Sequence, residues 1–329
     1  MKRFIAIVIA FSCLNIEANS QTGWFPLSSE TTSYWLNSVH FADNSTGWAA
    51  GRFGTIIKTT NGGINWTLQS SNTSNDLESI HFADNNTGWA VGDGGTIRKT
   101  TNGGTHWAIQ ISGTGNWLYS VHFTDNNTGW AVGGEGTIIK TTNGGTNWTV
   151  LSSGTGSWLF SVHFADNNTG WAVGTGSIII KTTNGGTEWA QQASGVSWWV
   201  WLESVYFVDN TNGWTVGNWG SITRTTNGGS NWTPLTSGTD WNLSAAQFAD
   251  INTGWVVGGE KILKTTNGGT NWAIQSSGTN FRFIELDFIN SNVGWAIGEY
   301  CWTLKTITGG DPYPPSCGPG NHFVDICSA

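Results

Sequence analysis

The sequence predicts an all-β, seven-bladed β-propeller with four antiparallel strands per blade. Three observations predict it. A Gly-Trp pair recurs with its tryptophan at Trp48, Trp89, Trp130, Trp171, Trp214, Trp255 and Trp295, at spacings of 41, 41, 41, 43, 41 and 40 residues. A period of that size is one supersecondary unit that buries its apolar face only against its neighbours. Within each period, short segments rich in β-branched and aromatic residues alternate with Asp, Asn, Gly and Thr, the composition of strands and tight turns. The last period stops short, and the segment it lacks stands at the other end of the chain.

The second repeat gives the elements in order. Leu77-Glu78-Ser79-Ile80-His81-Phe82 alternates apolar and polar residues and reads as the inner strand. Residues 83–88 form a turn, because Asp and Asn bond their own backbone and Gly accepts positive φ. Trp89-Ala90-Val91 is the second strand, ended by Gly92-Asp93-Gly94-Gly95. Thr96-Ile97-Arg98-Lys99-Thr100-Thr101 is the third, rich in β-branched residues. Asn102-Gly103-Gly104 signals a tight hairpin, and Trp107-Ala108-Ile109-Gln110 is the fourth strand.

The two ends imply a closed ring. The seventh repeat begins at Phe288 and reaches Gly310, then places Tyr313 among Pro312, Pro314 and Pro315 where the closing tryptophan strand belongs. Proline cannot serve a ladder interior. Gly23-Trp24-Phe25-Pro26-Leu27 matches the missing strand, and Trp24 stands 42 residues before Trp66. The N-terminal strand should therefore complete the seventh blade and leave no exposed strand edge. The expected domains are a signal peptide over 1–20, the propeller over 21–310 and an irregular Pro, Gly and Cys-containing tail over 311–329.

The export signal is read from Lys2 and Arg3, the apolar run Phe4 to Leu14, and Ala18-Asn19-Ser20 before Gln21. The apolar run is too short to span a bilayer, so no integral membrane segment is expected. Cys13 after Ala10-Phe11-Ser12 offers lipoprotein anchoring as an alternative, with a bulky Phe inside the would-be lipobox. Cys301, Cys317 and Cys327 would remain after cleavage, and Cys317 with Cys327 is the expected pair because both lie in the tail. The formal net charge of −8 disfavours nucleic acid as a partner. A monomer is expected.

The tryptophans divide into classes. Seven follow Gly, and seven more open the fourth strand: Trp24, Trp66, Trp107, Trp148, Trp189, Trp232 and Trp272. These are structural, each with an upper bound of roughly 4–6 kcal/mol from burial. Trp35, Trp117, Trp158, Trp198, Trp199, Trp201 and Trp241 instead precede or enter the inner strand, and Trp219 lies between the second and third strands. These loops should share one face, opposite the Asn-Gly-Gly hairpins. Trp198-Trp199-Val200-Trp201 sits in a two-residue insertion that breaks the period, which is where a binding surface is expected. Glu78, Glu203 and Arg282 complete the candidate ligand-binding set. Aromatic platforms beside carboxylates suit extended peptides or sugar rings, while the same tryptophans could simply cover the channel mouth.

Thr-Thr-Asn-Gly-Gly-Thr-Asn-Trp resembles the Asp-box of BNR repeats, with Asn in place of the usual Asp. Together with Gly-Trp-Ala-Val-Gly one strand earlier, it resembles the Ycf48/Hcf136 group of photosystem II assembly-factor-like propellers over roughly residues 21–310. The resemblance implies a propeller of the WD40/YVTN-like kind, a structural hairpin face away from the ligand, and a protein partner. Photosynthetic members bind a reaction-centre protein through an arginine-rich patch. This chain has five arginines, and its cations mostly fill one slot before Thr-Thr: Lys58, Lys99, Lys140, Lys181, Arg224, Lys264 and Lys305. An arginine patch is therefore absent.

Catalytic readings find less support. Sialidase chemistry needs three arginines and a Tyr/Glu pair. Only Arg52, Arg98 and Arg282 remain outside the repeated slot, and Phe281-Arg282-Phe283-Ile284 echoes a sialidase segment without its proline. A xyloglucanase-like glycoside hydrolase needs two carboxylates flanking the scissile bond. Glu78 and Glu203 share one inner-strand position and could form such a pair, although solvated loop charges are the plainer reading. Asp43, Asp84, Asp125, Asp166, Asp209 and Asp250 recur in the first turn and read as turn residues. His40, His81, His122 and His163 recur in the inner strand and read as interblade hydrogen-bonding groups; no metal or cofactor is expected. The expected function is an exported, non-catalytic scaffold that binds a protein or glycan, with a carbohydrate-active propeller as the alternative.

Overall fold

The computed structural model describes residues 23–27 and 31–312. The expected signal peptide, Cys13, and the pair Cys317 and Cys327 lie outside the described residues. Seven four-stranded antiparallel sheets follow one another around a central channel. After β1 (Gly23–Leu27), the first blade comprises β2 (Leu36–Phe41), β3 (Gly47–Gly51), β4 (Ile56–Thr59) and β5 (Thr67–Gln69). The same meander repeats, with inner strands Leu77–Phe82, Leu118–Phe123, Leu159–Phe164, Leu202–Phe207, Ala245–Phe248 and Phe283–Phe288. The ring closes as expected: β1 pairs antiparallel with the strand Thr303–Gly310 of the seventh blade, Phe25 opposite Lys305 and Leu27 opposite Thr303. One expectation needs correcting, because closure does not abolish edges. The outer strand of each blade is unpaired on one side, and six of these seven strands are only three or four residues long. Short edges of that kind are how propellers limit edge pairing.

The repeated residues turn out to be an interblade clamp. Each second-strand tryptophan is wholly buried. Its Nε1–H donates to a glycine carbonyl in the next blade's hairpin: Trp48 to Gly103 at 3.1 Å, Trp130 to Gly185 at 3.0 Å and Trp295 to Gly62 at 2.9 Å. The same indole stacks on the inner-strand Phe of the next blade, as Trp130 does on Phe164 with ring centroids 3.5 Å apart. That Phe meets its own blade's fourth-strand tryptophan edge-on, Phe164 against Trp189 at 5.8 Å. The cation before Thr-Thr lies over the clamp indole, Lys140 Nζ being 5.1 Å from the Trp130 centroid. The glycine before each clamp tryptophan has its own cause: a β-carbon on Gly129 would stand 2.5 Å from the Phe123 ring.

The Asn-Gly-Gly hairpins bear out the structural reading. Asn143 Oδ1 accepts from the Asn147 N–H at 2.9 Å and the Thr141 hydroxyl at 3.0 Å, an acceptor role that Asp would fill equally. Both glycines take positive φ, Gly144 at 66° and Gly145 at 86°. On the same face each first-turn Asp closes its own turn, and Asp43, Asp84, Asp125 and Asp166 also tie to the next blade, Asp84 accepting from Thr87 N–H at 2.8 Å and from Asn126 Nδ2 at 2.8 Å. Partial burial would raise the Asp84 carboxyl, but these hydrogen bonds outweigh it and hold it below the usual range.

The clamp predicts large and position-specific losses. Trp130→Ala should cost about 3–5 kcal/mol in chemical denaturation, because it removes a stacked, hydrogen-bonded indole at a blade boundary. Gly129→Ala should destabilise measurably despite adding one methyl, whereas Ala at Gly156, where a β-carbon meets nothing within 4 Å, should change little.

Candidate binding face and central channel

The loops that carry the irregular tryptophans do share one face. The connections after the second strand bond directly to those before the inner strand, as in Arg52 N–H to Trp35 O at 3.0 Å and Gly134 N–H to Trp117 O at 2.9 Å. The Asn-Gly-Gly hairpins bond instead to the first turns at the opposite end, as in Gly62 N–H to Ser45 O at 2.8 Å.

The inner strands line a channel of about 580 Å³, and each side-chain register contributes one tier. Nearest the tryptophan face stand Asn37, Glu78, Tyr119, Phe160, Glu203 and Ile284. Below them Ser38, Ser79, Ser120, Ser161 and Ser204 accept backbone N–H groups from the next blade, for example Ile80 N–H to Ser38 Oγ at 3.1 Å. Glu285 takes the serine position in the seventh blade. The deepest tier is His40, His81, His122, His163, Tyr206, Gln247 and Asp287.

The histidines form the expected arc, with centroids of successive imidazoles 5.0, 5.2 and 4.7 Å apart. The expected interblade bonding holds for His40 and His81, which bond the backbone of Phe82 and Phe123. It fails for His122 and His163, whose buried Nδ1 atoms have no partner among the described residues. Burial and then the neighbouring imidazoles hold His81 and His122 well below the ordinary range, and His163 is pushed down to about 4. The imidazoles of this tier are therefore neutral at pH 7. Among the described residues no cluster of three or more His, Cys, Asp or Glu is arranged to hold a metal ion.

Of the candidate residues, Trp35, Glu78, Glu203 and Arg282 line the channel together. Trp117, Trp158 and Trp201 join a run of aromatic contacts across three blades. Trp117 meets Tyr119 at 6.3 Å, Tyr119 meets Trp158 at 5.9 Å and Phe160 at 5.4 Å, and Phe160 meets Trp201 at 6.2 Å. Trp198 and Trp199 pair with each other at 6.0 Å in the insertion. Trp241 packs over Gly259, and Trp219 stands by itself, 68% exposed.

Glu78 and Glu203 are not solvated loop charges. They sit on inner strands, and burial pushes each up to about 7. The Asp93 and Asp76 charges push Glu78 the same way, whereas Arg282 opposes the shift at Glu203. Glu285 is raised to about 8 by burial, opposed by a Ser38 hydrogen bond and reinforced by the Asp287 charge.

Several site residues escaped the sequence reading. Tyr119 and Phe160 occupy the column of Glu78 and Glu203 but passed as ordinary strand residues. Phe53 and Tyr300 stand at the loop position of the expected Trp219, with φ of 54°, 55° and 57°, where two other blades have Gly94 and Gly176. Bulky residues rarely accept that conformation. Aligning the repeats column by column would have exposed both sets.

Glu285 generates a pH prediction. Its folded value lies above the unfolded one, so its contribution to stability is complete below about pH 4.5 and is lost as pH rises through about 8. Denaturation midpoints of the Glu285→Gln variant should fall less between those limits than the parent's, by roughly 1–2 kcal/mol, since channel water screens part of the shift.

The comparisons with known proteins agree with this architecture. The family model described as photosynthesis system II assembly factor YCF48 matches residues 16–113, 106–191 and 147–241. No curated protein sequence matches. A structure of YCF48 bound to D1 peptide is 20% identical with a TM-score of 0.74, covering 87% of this chain and 95% of that one. YCF48 from Cyanidioschyzon merolae is also 20% identical, with a TM-score of 0.72 over 86% and 98%. The GH74 xyloglucanase from Xanthomonas campestris is 12% identical with a TM-score of 0.70, over 88% of this chain and 54% of that one. At such identities the solved structures speak for the fold alone. The family model, the seven repeated Gly-Trp clamps and the closed seven-bladed ring agree, and the chain belongs to the photosynthesis system II assembly factor YCF48 family.

Proposed function

We propose that this chain is an exported, non-catalytic, monomeric scaffold that holds a protein segment on the tryptophan-bearing face. The observation that carries this reading is the run of aromatic side chains from Trp117 to Trp201, beside the exposed Trp198, Trp199 and Trp219. Large exposed aromatic surfaces are costly on a solitary soluble protein and are the usual anchors of an interface. The similar YCF48 propeller solved with D1 peptide supports a peptide as the kind of ligand. Export rests on Lys2, Arg3 and the apolar run that follows.

A glycan on the same platforms is the second reading, favoured by one observation. Glu78 and Glu203 line one cavity and are both raised to about 7, where a carboxyl can serve as a general acid. Parallel peptide and glycan arrays, with sugar release from xyloglucan measured alongside, separate the two. Binding to peptides without sugar release is the expected result. Turnover abolished by Glu78→Gln or Glu203→Gln would establish the hydrolase instead. Trp199→Ala and Trp219→Ala should each weaken binding by about tenfold with an unchanged melting temperature; undiminished binding by both would move the ligand off this face.

A further inference from the structure

Resting on the reading that this face holds a protein segment, we propose that the segment is basic. It lays an extended stretch along the aromatic rim and places a lysine or arginine side chain in the mouth of the channel. Glu78, Glu203, Glu285, Asp287 and Glu299 line the channel, and among the described residues Arg52 and Arg282 are the only Lys or Arg that do. The imidazole tier below adds no positive charge, since burial keeps those rings neutral. None of these carboxylates is in an ion pair among the described residues, where the one salt bridge joins Lys264 to Asp311 at 2.7 Å. The channel thus gathers five carboxyl groups against two guanidiniums, and burial raises Glu78 and Glu203 although Arg52 and Arg282 oppose the shift, so a further cation placed beside them would favour their charged forms.

An independent observation at the same mouth points to the same ligand chemistry. The guanidinium of Arg52 lies 4.2 Å from the centroid of the Trp35 ring, so the rim already holds one cation on an indole face. Among the described residues, the other cations over indoles all lie on the seven clamp tryptophans. Trp117, Trp158 and Trp201 are about half exposed and carry no such cation among the described residues. Aromatic faces above carboxylates favour a guanidinium or ammonium twice over, through the ring quadrupole and through Coulomb attraction at short range. A neutral sugar carries no charge for either attraction.

The test uses the full chain and four short fluorescein-labelled peptides, identical except for a central Lys, Arg, Gln or Glu. Fluorescence anisotropy at about 50 mM salt should show the Lys and Arg peptides binding at least about tenfold more tightly than the Gln peptide, with Glu weakest. Raising salt to about 300 mM should shrink that preference. A Glu78→Gln/Glu203→Gln double variant should reduce it to roughly threefold or less while keeping the Gln-peptide affinity. Trp158→Ala should weaken all four, and unchanged melting temperatures would show that both variants fold. Equal binding of the four peptides, still weakened by Trp158→Ala, would overturn the basic partner and leave the peptide-binding face standing. Binding of none of the peptides would overturn both.

Discussion

Every blade of this protein depends on one contact made to its neighbour. The indole of the second strand is inserted beneath the next blade, donates its single N–H to a hairpin carbonyl there, and stacks on that blade's inner Phe. An indole N–H is a donor only, and the clamp indole is the one that meets a backbone acceptor when buried, whereas the fourth-strand N–H groups of Trp66, Trp107, Trp148, Trp189, Trp232 and Trp272 are buried without an acceptor among the described residues. The acceptor is a glycine carbonyl of the next blade's hairpin, Asn-Gly-Gly in six blades and Thr308-Gly309-Gly310 in the seventh. The two glycines at positive φ, the Thr and Asn side chains that brace them, and the cation over the ring are all terms of this one constraint. No blade can satisfy it alone, which is why the chain must return to its start and why Trp24 and β1 close the seventh sheet.

The clamp also divides the molecule into two ends with different freedoms. At the hairpin end, buried hydrogen bonds fix the sequence of each blade almost completely. At the other end, the loops need only connect strands, so they can carry exposed tryptophans and bulky residues in the left-handed region. Such strain persists where the surroundings over-determine the backbone. A ring held by seven repeated clamps supplies that support, and the channel can hold unpaired carboxyls that an ordinary small core would expel.

Much of this was legible in the residues. The period, the four strands, the turn role of Asp84 and its equivalents, and the closure by Trp24 all follow from short-range rules, because each is decided within one repeat or by comparing repeats. The candidate face was legible in part. Trp198 to Trp201 broke the period and so could be noticed. Tyr119 and Phe160 could not, because an aromatic residue in a β-strand is ordinary until a channel gives it a position. Glu78 and Glu203 looked like solvated charges for a related reason: burial belongs to the assembled ring and not to the strand.

The sequence by itself determined the ring, since the clamp is written into each period and its partners recur at fixed distances along the chain. Only the tertiary structure decided the chemistry of the mouth. Residues separated by whole blades, such as Glu78, Glu203 and Glu285, share one low-dielectric channel only after closure, and their electrostatics depend on that shared burial. The same closure sets imidazoles about 5 Å apart and keeps them neutral. Local pattern specifies contacts whose geometry repeats, whereas a field summed over seven different inner strands exists only once they face one another.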